Sequence, residues 1–218
     1  MGNMKVVIRG YVIDDRDAIM VIAGDTAFFG EPVEALMEDR ELFFDAFYAF
    51  FFDHETTTCW VAEHNEIVVG FLAGSVNANR QQEWSMFHIY PQIALGIILR
   101  KYHIGRKTLK YVAGLVGQAM RGEFPFTDTR LFPAHLHINV ASNSRGLGIG
   151  RKLLEAYLQQ LRSLGVKGVH LHTTDQNVSA CILYEKMGYQ LQDKRKTKNW
   201  IPLLGKMVEN RCYALKLE

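Results

Sequence analysis

Residues 145 to 151, Arg145-Gly146-Leu147-Gly148-Ile149-Gly150-Arg151, stand between an apolar, strand-like run and a strongly periodic helix. Placed there, Gly146, Gly148 and Gly150 let the backbone take positive φ and approach a ligand closely. The first amides of the following helix are unpaired, with the positive end of the helix dipole behind them. Such a turn is a socket for phosphate oxygens. A tight connection or a dinucleotide-type loop also uses glycines after a strand, so the flanking sequence has to decide. Downstream, Ile149, Leu153, Leu154, Tyr157, Leu158, Leu161 and Leu164 fall on one helical face, and Gly165 supplies a stop. Upstream, between Pro133 and Ala141, Leu136, Ile138 and Val140 alternate with His135, His137 and Asn139, which predicts a strand feeding the turn.

A short strand, Val169 to Thr173, and a second helix follow, with Asn177 as N-cap and Gly188 as stop. The Arg145-x-x-Gly148-x-Gly150 turn and the series Asn177, Ala180, Tyr184, Gly188-Tyr189 together resemble a GNAT-superfamily N-acetyltransferase. That resemblance implies a mixed α/β (α+β) fold: a twisted mixed sheet of about seven strands flanked by helices, with strands four and five splayed around acetyl-CoA. It implies that Ile138, Asn139 and Val140 present backbone groups to the pantetheine arm and the thioester carbonyl. Arg145, Gly146, Leu147, Gly148, Ile149, Gly150, Arg151 and Lys152 would hold the pyrophosphate. Asn177 would contact the arm, and Tyr184 would protonate the thiolate that leaves as coenzyme A. The segment Ala141-Ser142-Asn143-Ser144 departs from the family in lacking the proline and bulky residue that often precede the turn.

Four of the eight histidines, His135, His137, His170 and His172, lie on the two strands expected to splay. Neutral near pH 7, such imidazoles are able to take a proton from an acceptor amine directly or through water. The run Ala134-His135-Leu136-His137 resembles one in aralkylamine N-acetyltransferases, where paired histidines remove that proton. Here the step from His137 to Val140 is one residue shorter, which places the histidines on the other face unless a bulge intervenes. Hydrogen-bonded structural histidines, or a zinc site of alternate-residue pairs, are the other readings.

A chain of 218 residues with 48% hydrophobic content is long enough for a real core. One domain over residues 1–218 is expected, with a helical insertion at about 79–132. A formal charge of +2 gives no reason to invoke nucleic acid. The three cysteines, widely spaced and without a C-x-x-C pair, suit a reducing, cytoplasmic setting. No apolar run approaches the roughly 20 residues of a membrane span, and the segment Met1 to Tyr11, with Lys5 and Arg9, lacks the apolar centre of a signal peptide.

In chain order, a first strand is expected over residues 4–13, then a helix from about Ala18 to Ala23 that the acidic run Asp14-Asp15-Arg16-Asp17 could cap. A second helix is predicted from Pro32 through Phe51, its aromatic face packing in the core. Phe28, Phe29 and Glu31, before that helix, are candidate acceptor-pocket walls, as are His170 and His172. Residues 57–64 and 67–76 read as a hairpin about Asn65-Glu66. The insertion is too long for a structureless loop and predicts helices at 91–102 and 106–120. From Arg80 to Arg121 it holds seven Lys or Arg against one acid, Glu83. Two final strands are expected at 189–193 and 211–217.

The reading is direct acetyl transfer from acetyl-CoA to a primary amine of a small molecule or peptide, with no metal and with a homodimer possible. The alternatives are a non-catalytic acyl-CoA-binding module and a metal protein built on the histidines.

Overall fold

The computed structural model describes residues 6–217; Met4 and Lys5, expected to open the first strand, lie outside the described residues. Seven strands, β1 (Val6–Gly10), β2 (Trp60–His64), β3 (Ile67–Ser75), β4 (Ala134–Val140), β5 (Gly168–Thr174), β6 (Gln190–Thr197) and β7 (Val208–Lys216), form one sheet in the order β1-β2-β3-β4-β5-β7-β6. Every neighbouring pair is antiparallel except β4 and β5. The helices are α1 (Arg16–Asp25), α2 (Arg40–Phe47), α3 (Ala78–Trp84), α4 (Tyr90–Ile98), α5 (Arg106–Met120), α6 (Ile149–Ser163), α7 (Val178–Lys186) and the short α8 (Ile201–Leu204).

Alternation along the strands divides the core in two. Leu136 joins Leu153, Leu154, Tyr157 and Leu161 of α6 on one face, while Phe43, Phe44, Phe51, Phe52 and Phe71 pack on the other with α1 and the insertion. The hairpin turns at Asn65 and Glu66, both at positive φ (50° and 64°), as a two-residue connection between twisted strands requires.

Two expectations at the start of the chain are corrected. Asp15 precedes α1 but makes no capping bond to it; its carboxylate is taken by the Arg9 guanidinium (2.7 Å) and the Val12 amide (2.9 Å). The helix predicted from Pro32 through Phe51 is broken into a 3₁₀ turn at Val33–Ala35, α2, and a wide π turn at Phe50–His54. The break has a use. Asp39 caps α2 through the Leu42 amide at 2.7 Å, and Glu38 reaches across to cap α5 through the amides of Gly105, Lys107 and Thr108. The Thr108 hydroxyl and those amides hold the Glu38 carboxyl well below the usual carboxylate range.

The segment between β3 and β4 holds the predicted α5, but its first helical stretch starts earlier, at Ala78, and widens into a π turn at Ser85–Ile89 just before Pro91, which has no amide to donate. The apolar stripe of α5 is not buried as its periodicity suggests: Leu109, Val112, Val116 and Met120 are exposed. Instead Thr108 and Gln118 turn inward, because Gly114 lets the helix approach Asn199, whose amide oxygen stands 2.3 Å from where a Cβ would lie.

Tyr157 anchors α6 to the sheet, its hydroxyl within 2.8 Å of the Ser75 carbonyl and 3.0 Å of the His135 carbonyl. Its ring fills the place of the Gly74 Cβ, which would come within 2.7 Å of the Thr58 carbonyl. Tyr157→Phe removes a buried donor between two carbonyls, so it is expected to cost about 1–3 kcal/mol in urea denaturation. Gly74→Ala is expected to cost more, because backbone has to move.

Candidate functional site

Strands β4 and β5 pair at only two positions, Ala134 with Val169 and His135 with His170, and then part. Beyond Leu136 every residue of β4 has partial solvent contact, so a cleft opens between the strands. The ladder on the other side of β4 decides which backbone groups face that cleft. Ala141 donates to the Val69 carbonyl at 2.9 Å, and the register to β3 runs without a shift from Gly70–Val140 to Ser75–His135. Hydrogen-bonded pairs alternate in an antiparallel ladder, so Asn139, His137 and His135 bond to β3, while Val140, Ile138 and Leu136 turn their amides and carbonyls toward β5. Ile138 and Val140 therefore turn backbone groups toward the cleft. Asn139, expected to do the same, does not: its backbone belongs to the β3 ladder, and its side chain accepts from the Tyr48 hydroxyl (3.2 Å) and donates to Thr26 Oγ1 (2.8 Å).

The cleft ends at the glycine turn. Gly146 (φ 80°) and Gly148 (φ 74°) take left-handed conformations, and a Cβ on either would meet nothing within 4 Å. Gly148 is the N-cap of α6. The first amide taken up within that end is that of Lys152, on the Gly148 carbonyl at 3.2 Å, which leaves the amides of Ile149, Gly150 and Arg151 free. Gly150, expected at positive φ, is an ordinary helical residue, being the second of α6; a Cβ there would touch Leu183 at 3.4 Å. Arg145, Leu147 and Lys152 are exposed beside the turn, and Arg151 pairs with Glu155 one helical turn on at 2.7 Å.

The four imidazoles gather where the strands part. Ring centroids lie 4.8 Å apart for His135 and His137, 5.0 Å for His135 and His170, 5.6 Å for His170 and His172, and 6.0 Å for His135 and His172. No bulge interrupts β4, so the histidines lie on the face opposite Leu136 and Ile138, among Tyr48 and Phe51, each about 5.5 Å from the His137 ring. Burial and mutual repulsion favour the neutral forms: His137 falls to about 4, and His135 and His170 are lowered as well, mainly by burial. His172 is pushed the same way by the protein around it, but its side chain keeps open solvent contact, so the push is weaker than that on buried His135. His170 is tied through Nδ1 to the Phe132 carbonyl at 2.8 Å. Among the described residues, no three His, Cys, Asp or Glu stand where they could hold a metal ion.

Tyr184 is buried on α7 against Tyr189 and Tyr213, with centroids 5.8 and 5.9 Å away. Burial raises its pKa, so it stays protonated at neutral pH. Asn177 is the exposed N-cap residue of α7, although its side chain makes no capping bond.

Phe28 and Glu31 close a tight turn through paired backbone bonds of 3.1 and 2.9 Å. Phe28 is buried against Phe43 and Tyr111, Phe29 stands edge-on to Trp200 at 4.9 Å, and Glu31 points to solvent. This turn lies against the glycine turn, a Cβ on Gly30 falling 3.2 Å from the Arg145 guanidinium. Sequence reading missed Tyr48, Thr26, Tyr111 and Trp200, since nothing in their own segments marks them as neighbours of β4 or of the Phe28 turn.

A seven-stranded sheet parted at β4 and β5, with a glycine turn at the head of the cleft, is the architecture to be compared with known proteins. Residues 97–189 match the acetyltransferase (GNAT) family. It is 33% identical over 86 residues to the spermine/spermidine N(1)-acetyltransferase of Bacillus subtilis (strain 168), an alignment covering 38% of this chain and 57% of that one. A mycothiol acetyltransferase of Geodermatophilus obscurus matches at 36% over 52 residues, 24% of this chain and 17% of the relative. The chain thus spans little more than half, or less, of the curated relatives it matches. The fold is that of the crystal structure of SsHAT, with TM-score 0.74 and 24% identity over 98% of this chain and 99% of that one. The polyamine N-acetyltransferase of Drosophila melanogaster shares it at TM-score 0.60 and 19% identity, covering 98% and 100%.

The lowered imidazoles link stability to pH. An unfolded His binds a proton near pH 6.5, whereas His137 in the fold does so only near 4. Between those values the unfolded chain holds more protons, so stability falls as pH drops from about 6.5 toward 4 and levels off below the folded pKa. The melting temperature by calorimetry is expected to fall by several degrees from pH 7 to 4.5, and a His135→Asn/His137→Gln variant should show a flatter curve. A wild-type melting temperature constant over that range would contradict the neutral cluster.

Proposed function

We propose that the chain is an acetyl-CoA-dependent N-acetyltransferase that moves the acetyl group directly to a primary amine of a small molecule or peptide. The observation that carries this reading is the continuity of the cleft: cleft-facing backbone groups at Ile138 and Val140 lead to the free amides at the head of α6. The open glycines fit the group, since phosphate oxygens need close backbone approach and meet no Cβ at Gly146 or Gly148. When bound, acetyl-CoA supplies an activated thioester carbonyl.

The chain's own residues do the rest. The amides of Ile149, Gly150 and Arg151 hold the pyrophosphate, with Arg145 and Lys152 adding charge from the rim. Backbone groups of Ile138 and Val140 align the arm and polarise the carbonyl, in amide-to-amide bonds that a parted strand offers without rearrangement. Tyr184 is the acid for the departing thiolate and Asn177 a contact for the arm. His135 and His137, held neutral, accept the ammonium proton directly or through water, with His170 and His172 beside them. With His137 near 4, that acceptance is uphill at neutral pH, so the proton has to pass on through the cluster rather than rest on one ring. Phe28, Phe29 and Glu31 border the acceptor entrance. The exposed stripe of α5 at Leu109, Val112, Val116 and Met120 supports a homodimer. The chain is read as a single cytoplasmic domain, in keeping with its buried free cysteines.

Thiol release from acetyl-CoA with a panel of primary amines tests the reading, and silence across the panel with intact cofactor binding would favour the non-catalytic module. Gly148→Val is expected to abolish cofactor binding in calorimetry, because valine at φ 74° is strained and its branches enter the phosphate space. Tyr184→Phe is expected to keep cofactor affinity and to lower kcat by 10²-fold or more, on the order of one lost proton donor; an unchanged chemical step would remove Tyr184 from the mechanism.

A further inference from the structure

A second cavity, of about 330 Å³, lies between α5 and the loop that joins β6 to β7. Its charged lining is entirely cationic: Lys107, Lys110, Arg121 and Lys198 contribute to it and no Asp or Glu does. Two of the four are engaged, Lys107 by the Glu34 carbonyl at 2.6 Å and Arg121 by Glu123 at 2.5 Å. Lys110 and Lys198 make no ion pair among the described residues. Among the described residues, Asn199, also in the lining, keeps its amide nitrogen buried and without a partner, as does the indole nitrogen of neighbouring Trp200. Buried donors without acceptors are rare in folded proteins, and here two sit beside a surplus of positive charge.

We propose that this cavity binds an anionic oxygen group, a carboxylate or a phosphate, in a site separate from the glycine turn. Such a group satisfies what the lining lacks: it offers only acceptors to a lining rich in donors, and it neutralises Lys110 and Lys198. The site also has a place in the acceptor region. Tyr111, which lines it, packs on Phe28 at 5.2 Å and on Trp200 at 6.4 Å, so one aromatic wall is shared by the cavity and the Phe28 turn. The anion is carried by the acceptor molecule itself or arrives free, bracing α5 against the loop; only the first source rests on the transferase reading. A polyamine, as named for the Bacillus and Drosophila relatives, is repelled by this lining, so a cationic acceptor of that kind does not suit the cavity.

The test titrates inorganic phosphate into the full chain saturated with coenzyme A, which occupies the turn and leaves the cavity to report. Binding in calorimetry is expected in the wild type, weakened at least tenfold in Lys110→Gln/Lys198→Gln and restored in Lys110→Arg/Lys198→Arg, with coenzyme A affinity unchanged in both. Absence of phosphate binding in the wild type, or equal binding in the Gln variant, overturns the site. Tyramine and tyrosine, which differ by a carboxylate, then separate the sources. A rise in KM for tyrosine alone in the Gln variant assigns the anion to the acceptor, whereas equal effects on both amines assign it to a free anion. Thiol release with neither amine counts against the acceptor source and the transferase reading, while the phosphate titration, which needs no turnover, still decides the site.

Discussion

The parting of β4 from β5 after two residue pairs is the constraint on which the rest of this molecule depends. A strand edge left open leaves amides and carbonyls without a strand partner, and each such group costs free energy to the extent that it is kept from water. The fold confines that cost to the short run from Leu136 to Val140, and it secures both strands on their outer sides. β4 is paired to β3 over six residues and β5 to β7 over seven. The open edge is thus held on both outer sides while its own backbone groups lack a strand partner.

The two faces of the sheet contribute differently. On one, α6 is fixed by a buried apolar stripe and by the Tyr157 hydroxyl against the carbonyls of Ser75 and His135. That anchor sets where the helix begins, and so where the free amides of the glycine turn stand. On the other face, Tyr48 at the end of α2 and Phe51 of the π turn pack on His137, and the Tyr48 hydroxyl reaches the Asn139 amide. Desolvation there keeps the imidazoles neutral, the form in which they accept a proton, while lowering their basicity. The segment between β3 and β4 is built into this second face through α4 against α2 and through the Glu38 cap on α5, so its position is coupled to the break between Pro32 and Arg40.

Much of this was legible in the chain, because local rules governed it. The period of α6 and α5, the glycine stops, the hairpin at Asn65-Glu66 and the strand feeding the turn follow from spacing and from backbone conformations that few residues tolerate. The glycine turn and the Tyr184 series carried the family resemblance for the same reason: phosphate approach and a helix register leave marks at fixed distances along the sequence. Apolar periodicity failed where neighbours distant in sequence decided. The exposed stripe of α5 is as periodic as a buried one, and only the close approach at Gly114 turned the other side inward. The broken helix after Pro32 reads as continuous because its interruption serves Glu38, whose partners stand some 70 residues on.

The sequence by itself determined that a strand, a glycine turn and an amphipathic helix follow one another, since each is fixed by side-chain period and by φ preferences within a few residues. Tertiary structure alone decided which backbone groups face the cleft. The ladder to β3 turned Ile138 and Val140 toward β5 and took Asn139 away from it, a matter of pairing register that no residue type encodes. It also decided that four histidines from two strands share one crotch, and that Lys110 of the insertion meets Lys198 of the last loop around one cavity. Those meetings join segments tens of residues apart, and the sheet order is what brings them together.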